Sequence, residues 1–345
     1  MVRVAIVGVT GYAGLESLRL LLGHPGATVT CLASHSQAGA AAQDVHPQLS
    51  GLGLPALVAP DPDALADAAD LALLSLPARQ ALDLAPALLR RGMRVIDFGA
   101  DFRLRDAAAY ARHYGGPHTA EEALAEAVYG LPELHRRAIA GARLIANPGC
   151  YPTAAILALA PALEAGAVLP DDIVVDAKSG RSGAGRQPTA DGHLPEASEN
   201  VAAYNVAGAH RHTPEMEQEL ALAAGRPVTL TFSPHHVPMS RGLLATCYAR
   251  LARPLSAAGA EELYRERYRG EPLVSVLPGL PATKPLRGSG AAHVAVRVDG
   301  RTERLVAVAA IDNLGKGAAA QAIQNLNLML GLPEALGVPR VGLMP

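Results

Sequence analysis

Eight residues near the middle of the chain, Asn147-Pro148-Gly149-Cys150-Tyr151-Pro152-Thr153-Ala154, have the types and spacing to do chemistry. An apolar stretch ending at Ala146 runs into a Pro-Gly turn, one cysteine follows, and helix formers continue from Ala154 to Leu163. This order predicts a thiol at the mouth of a helix. Unsatisfied backbone N–H groups and the positive end of the helix dipole favour the thiolate there, which makes Cys150 a candidate nucleophile. A second stretch, Gly208-Ala209-His210-Arg211-His212-Thr213-Pro214-Glu215, offers a partner. Thr213 suits an N-cap, Pro214 the first helical position and Glu215 the first turn, so His212 is predicted on the turn before a helix, where a neutral imidazole serves as general base and acid. A packed structural histidine is the competing reading for each of the two. No Cys or carboxylate stands at zinc-ligand spacing from these histidines or from His235-His236, so no metal site is expected.

These groups need scaffolds, and the N-terminus supplies the first. The run Arg3 to Val7 ends in Gly8-Val9-Thr10-Gly11-Tyr12-Ala13-Gly14, and Leu15, Leu18, Leu21 and Leu22 follow on one helical face. Strand, glycine turn and helix form the context of a dinucleotide phosphate site, so Gly8, Thr10, Gly11, Tyr12, Ala13 and Gly14 are expected to hold a cofactor. A second strand, Thr28 to Ala33, ends in Ser34-His35-Ser36. It lacks the carboxylate that usually binds the ribose 2′-hydroxyl of NAD, while Ser34 and Ser36 can donate to a 2′-phosphate, so NADP is the expected cofactor. Ser75 and Pro77 lie at a later strand end, again at the ligand edge of an open α/β sheet. At another such edge, Arg103 is placed to grip a carboxylate or phosphate, or to pair with Asp101 or Asp106. The loop Ser179 to Arg186 brings Ser182, Gly183 and Gly185 close to a ligand and Arg181 and Arg186 to an anion. Asn313 stands at a strand-to-helix junction, where it can bind a cofactor or cap the helix.

The chain has 345 residues, 50% of them hydrophobic and 18% charged, with a formal net charge of -2. Those values suit two globular domains and give no electrostatic reason to expect nucleic acid or an anionic membrane. Three separated cysteines and the absence of a signal-peptide pattern predict a cytoplasmic protein with reduced thiols, with Cys31 and Cys247 as packed core residues. The predicted architecture is α/β: a Rossmann-like doubly wound parallel sheet over 1–149, completed by the C-terminal helix, 315–345, and an α+β catalytic domain with a mostly antiparallel sheet over 150–314.

Taken together, the Gly8–Gly14 turn, Ala146 to Ala154, the Gly208–Glu215 stretch and Asp312-Asn313-Leu314-Gly315-Lys316-Gly317 resemble the N-acetyl-gamma-glutamyl-phosphate reductases, within the wider aspartate-semialdehyde and glyceraldehyde-phosphate dehydrogenase superfamily. The resemblance implies NADPH-dependent reductive dephosphorylation of N-acetyl-L-glutamyl 5-phosphate through a cysteine thioester, the third step of arginine biosynthesis, in a homodimer or homotetramer. It makes Cys150 the nucleophile and His212 the acid-base group, with His210 the alternative. It makes Arg103 a phosphate contact, Ser182 to Gly185 part of the nicotinamide pocket, and Asn313 a ligand of the nicotinamide end. Asn147, His210, Arg181 and Arg186 are further candidates for substrate contact. One position departs from the family pattern, since His35 stands where an arginine is expected after Ser34. A related acyl-phosphate reductase, or a non-catalytic NADP-binding redox sensor, are the competing functions.

Overall fold

The computed structural model describes residues 1–344. The chain forms two compact units, Met1–Pro148 with Ala318–Val338, and Gly149–Gly317 with the chain end from Pro339.

The first unit is built on six strands: β1 (Val2–Val7), β2 (Ala27–Ala33), β3 (Leu71–Leu74), β4 (Arg94–Asp97), β5 (Val128–Tyr129) and β6 (Leu144–Ala146). They pair in parallel in the order β2-β1-β3-β4-β6-β5. Order reverses between β1 and β3, and at such a switch point the strand ends open a crevice for ligands. Strands β1 and β3 are buried almost throughout, as a parallel sheet covered on both faces requires. The helix Ala320–Met329 packs on the helices Tyr12–Leu21 and Pro132–Gly141, and it is held by amides as much as by apolar contact. Asn325 Nδ2 donates to Gly130 O at 2.8 Å, and Asn327 Nδ2 to Leu336 O at 2.8 Å. The side-chain amide nitrogens of Asn325 and Asn327 are thus tied to backbone oxygens of other segments, which fixes one seating of the helix. The 315–345 segment, expected as one piece, therefore divides. From Pro339 onward it is tied to the second unit, where Gly290 N–H donates to Pro339 O at 2.8 Å and Leu343 N–H to Arg287 O at 2.7 Å.

The second unit carries seven strands: β7 (Val168–Gly180), β8 (Ala202–Ala203), β9 (Leu230–Val237), β10 (Leu243–Leu251), β11 (Val274–Val276), β12 (Ala292–Asp299) and β13 (Arg304–Ile311). Their order is β11-β12-β13-β10-β7-β9-β8, antiparallel except for the pairs β7–β9 and β11–β12. In β10, Leu243, Ala245, Cys247 and Ala249 face the core, and the alternate residues are partly exposed. The helix Cys150–Glu164 packs against β10 and β13. It is apolar on every side, and all thirteen residues from Tyr151 to Leu163 are buried, the pattern of a helix enclosed by its own domain.

Candidate active site

In the second unit, each residue of the cysteine motif has a local task. The helix starts at Cys150 itself, four residues before the run of helix formers. Gly149 is the N-cap, in an extended conformation. Pro152 is tolerated because a first-turn residue needs no intrahelical N–H partner. The Thr153 hydroxyl donates to Gly149 O at 2.9 Å, and its N–H to the same oxygen at 3.0 Å, which closes the first turn. The buried Glu215 carboxylate accepts the Gly149 N–H at 2.8 Å, tying the turn to the helix Thr213–Ala224. Cys150 is half-buried, whereas Cys31 and Cys247 are core residues whose thiols burial pushes up. Access thus singles out one thiol of three.

His212, rather than Thr213, occupies the N-cap of that helix, with no side-chain capping bond. His210 and His212 are both buried, with ring centroids 4.8 Å apart. Their environments differ in one respect that separates their chemistry. His210 Nδ1 accepts the backbone N–H of His212 at 3.0 Å, which leaves Nε2 as its protonated nitrogen. Burial, then Arg211 and His236, pull the His210 imidazole down to about 4, so it stays neutral at physiological pH. Tyr151, Tyr204 and Phe232 pack edge-on around it. The Tyr151 hydroxyl donates to His235 O at 3.1 Å and accepts from Tyr204 at 3.2 Å, while Tyr204 stacks on His236 at 4.1 Å.

Around the junction after β13, Asn313 Nδ2 donates to Ser182 Oγ at 2.9 Å and its Oδ1 accepts the Gly242 N–H at 2.8 Å. One face of that amide is thus committed to holding the loop at Ser182. Gly183 fits beneath, since a Cβ there would lie 3.1 Å from Ser179 Oγ. Gly185 is in the left-handed region, with φ 91°. Arg181 binds Asp191 within its own loop, and Arg186 is exposed. The buried Asp312 accepts from Arg241, Gly288, Leu314 and Gly315. That pinned turn brings Gly317 against the nucleophile, where an added Cβ would sit 2.8 Å from Cys150 Cβ. Backbone on both sides leaves no flexible atom to yield. Gly317→Ala is expected to displace the thiol and lower kcat by ~10²-fold with little change in KM, since about 1 Å of misplacement costs that much. Steady-state kinetics with a thermal melt checks it, and unchanged kcat would remove Gly317 from the site.

In the first unit, the glycine turn meets the demands of a phosphate site. A Cβ at Gly8 would lie 2.1 Å from Ser75 O, and one at Gly14 2.3 Å from Gly8 O, so close packing fixes both. At Gly11 the nearest atom would be 3.5 Å away, which leaves its face open to a ligand. The helix Tyr12–Leu21 begins there without a side-chain cap, which leaves the first-turn N–H groups without a side-chain acceptor, as an anion site requires. These residues fit a dinucleotide pyrophosphate. Thr10 precedes the helix head, Ser34 is buried at the end of β2, Ser36 and Pro77 are exposed, and Ser75 N–H donates to Val7 O.

Arg103 is buried. Its Nε donates to Asn147 O at 2.9 Å and its Nη2 to Phe98 O at 2.7 Å. Asn147 uses its own amide internally, Nδ2 on Ala318 O and Oδ1 from Asn325. Both residues thus brace the strand end that leads into the cysteine turn. Asp97, fully buried beside them, is pushed up to about 7 by burial and by Asp101, against the opposing pull of the Gly99 N–H and Arg103. Asp101 does not pair with Arg103. Its carboxylate accepts from the N–H groups of Arg79 and Ala81 and from the Tyr110 hydroxyl. Glu215, Asp312 and Asp101 act as organisers through partners far from them in sequence. Only Glu215 left a local trace, as the first-turn carboxylate three residues after His212.

Residues 3–142 match a family model described as the semialdehyde dehydrogenase NAD binding domain, and residues 150–313 match the semialdehyde dehydrogenase dimerisation domain. Over their full lengths, the chain is 50% identical to an N-acetyl-gamma-glutamyl-phosphate reductase of Geotalea daltonii. The chain belongs to this reductase family. A relative of the same name from Symbiobacterium thermophilum is 51% identical over 99% of this chain and 98% of its own. The fold of this chain is shared with an aspartate semialdehyde dehydrogenase of Vibrio cholerae, at TM-score 0.72 and 18% identity over 96% of this chain and 98% of that one. An aspartate semialdehyde dehydrogenase of Candida albicans, solved with NADP, aligns at TM-score 0.70 and 17% identity over 96% of this chain and 98% of that one.

Proposed function

We propose that this reductase converts N-acetyl-L-glutamyl 5-phosphate to N-acetyl-L-glutamate 5-semialdehyde with NADPH, releasing phosphate, as the third step of arginine biosynthesis. The observation that carries this reading is a single accessible thiol at a helix head, clamped through Gly149 by Glu215, in a chain half identical to such reductases along its whole length. Cys150, as thiolate, attacks the acyl carbonyl. The tetrahedral oxyanion develops at the helix head; with the Gly149 N–H held by Glu215 and none on Pro152, its stabilisation falls to the amides between them. The C–O bond to phosphate breaks, His212 delivers a proton to the departing oxygen, and a thioester remains on Cys150. NADPH supplies the hydride that reduces this thioester. The C–S bond then breaks, freeing the aldehyde and restoring the thiolate.

His212 rather than His210 carries the proton in this scheme, because His210, pulled down to about 4, is too weak a base to take up a proton at neutral pH, and its Nδ1 is engaged by the His212 backbone. Arg103, with Asn147, supports the turn beside the acyl phosphate, and Arg181 and Arg186 meet the substrate's anionic groups. Ser182, Gly183, Gly185 and Asn313 frame the nicotinamide end, and Gly8 to Gly14 with Ser34, Ser36, Ser75 and Pro77 hold the rest of the cofactor. The protein acts in the cytoplasm as a homo-oligomer, a reading supported by the dimerisation-domain match. Among the described residues no helix is long and apolar enough to cross a membrane.

Run in reverse with phosphate and NADP, the protein is expected to reduce NADP with N-acetylglutamate semialdehyde and not with aspartate semialdehyde. Turnover of only the second aldehyde would end this reading.

A further inference from the structure

An open cleft of about 710 Å³ lies in the first unit between the segment after β2 and the start of the helix Ala81–Arg90. Pro60, Pro62 and the buried Leu84 give it an apolar wall, Arg79 its cation, His35 a ring N–H donor, and Asp83 its one carboxylate. The helix follows β3, so its first turn, which carries Asp83, stands at the ligand edge of the sheet.

Arg79 is the unusual residue. It has φ 73°, a left-handed conformation that costs an arginine roughly 1 kcal/mol and a glycine almost nothing. The fully buried Asp101 holds it there, accepting the Arg79 N–H at 2.7 Å and the Ala81 N–H at 3.1 Å. Its exposed guanidinium rests against Gly116, whose own Cβ would come within 2.9 Å of it, and makes no ion pair among the described residues. A strained backbone that presents an unpaired cation at a cleft rim suits binding better than folding.

We propose that Arg79, facing His35 across this cleft, binds the 2′-phosphate of the cofactor and sets the choice of NADP over NAD, with the adenine on the Pro60–Leu84 wall. The inference rests on the reading that this unit takes a dinucleotide. It also accounts for His35: the guanidinium expected from that position comes instead from the loop after β3, and a planar guanidinium grips a phosphate through paired N–H donors.

Calorimetric titration of the intact protein with adenosine 2′,5′-bisphosphate and with 5′-AMP tests it. The unsubstituted protein is expected to bind the bisphosphate more than ~10-fold tighter, as a charge-assisted phosphate contact implies. Arg79→Gly should remove most of that preference, Arg79→Lys should keep part of it, and 5′-AMP should bind all three alike. Because glycine relieves the strain, Arg79→Gly should melt no lower than the parent protein. A preference that survives in Arg79→Gly, or a lowered Tm with unchanged binding, overturns the assignment. If the parent protein itself shows no preference and reduces substrate equally with NADH, the NADP reading fails along with it.

Discussion

Cys150→Ser is expected to abolish reductive dephosphorylation, lowering kcat/KM by at least ~10³-fold while nucleotide binding is retained. Two steps demand sulfur. A serine hydroxyl at the same helix head stays protonated at neutral pH, because the dipole stabilises an anion by only about 1 kcal/mol, far too little to ionise an alcohol. An oxyester, moreover, accepts hydride far less readily than a thioester. The other thiols cannot substitute, since Cys31 and Cys247 are buried and their thiols are pushed up by that burial. Intact-mass measurement after mixing with acyl phosphate but no NADPH should show one acyl group per chain, on the Cys150 peptide, and none in Cys150→Ser. Full reductase activity in the serine variant would falsify the thioester route, and a redox sensor would show thiol oxidation without any acyl adduct.

The second large effect is expected at His212. His212→Asn should lower kcat by ~10²-fold or more, the scale of a positioned acid-base group. His210→Asn should cost much less, because an asparagine Oδ1 can replace Nδ1 as acceptor for the His212 N–H and the ring it removes carries no charge at neutral pH. His210→Ala lacks that acceptor and should fall between the two, by loosening the turn on which His212 sits. The pH profile separates these roles. The alkaline limb of kcat, where a proton donor is lost, should vanish in His212→Asn and persist in both His210 variants. A larger loss in His210→Asn than in His212→Asn reverses the assignment.

Both predictions depend on motifs that could be read locally, and the reason is geometric. Gly14 is fixed by contact with Gly8 and Val9 within a single strand-turn-helix unit, and Gly149, Pro152 and Thr153 by one helical turn, so their residue types carry their function in a short span of chain. The helix that begins at Cys150 shows the limit of that reading. Propensity pointed to Ala154, but the capping of Gly149 and the Thr153 hydroxyl extend the helix back to the thiol itself. The Thr213 cap was misplaced for a similar reason. A turn held by His210 Nδ1 puts His212 at the helix end, an arrangement that residue preference cannot register.

The sequence by itself determined the chemistry: a reactive-thiol motif, a dinucleotide turn, a histidine turn, and the alternation of strands and helices that builds one doubly wound sheet and one mixed sheet. Only the tertiary structure decided which groups stand behind them. Glu215 reaches Gly149 across 66 positions and Asp312 reaches Arg241 across 71, and Asp101 rather than a neighbouring arginine holds Arg79 in its left-handed turn. A carboxylate makes the same local statement wherever it stands in a sequence. Its partner is chosen by the packing that buries it, because a buried charge must find its donors among whatever backbone and cations the fold brings within reach.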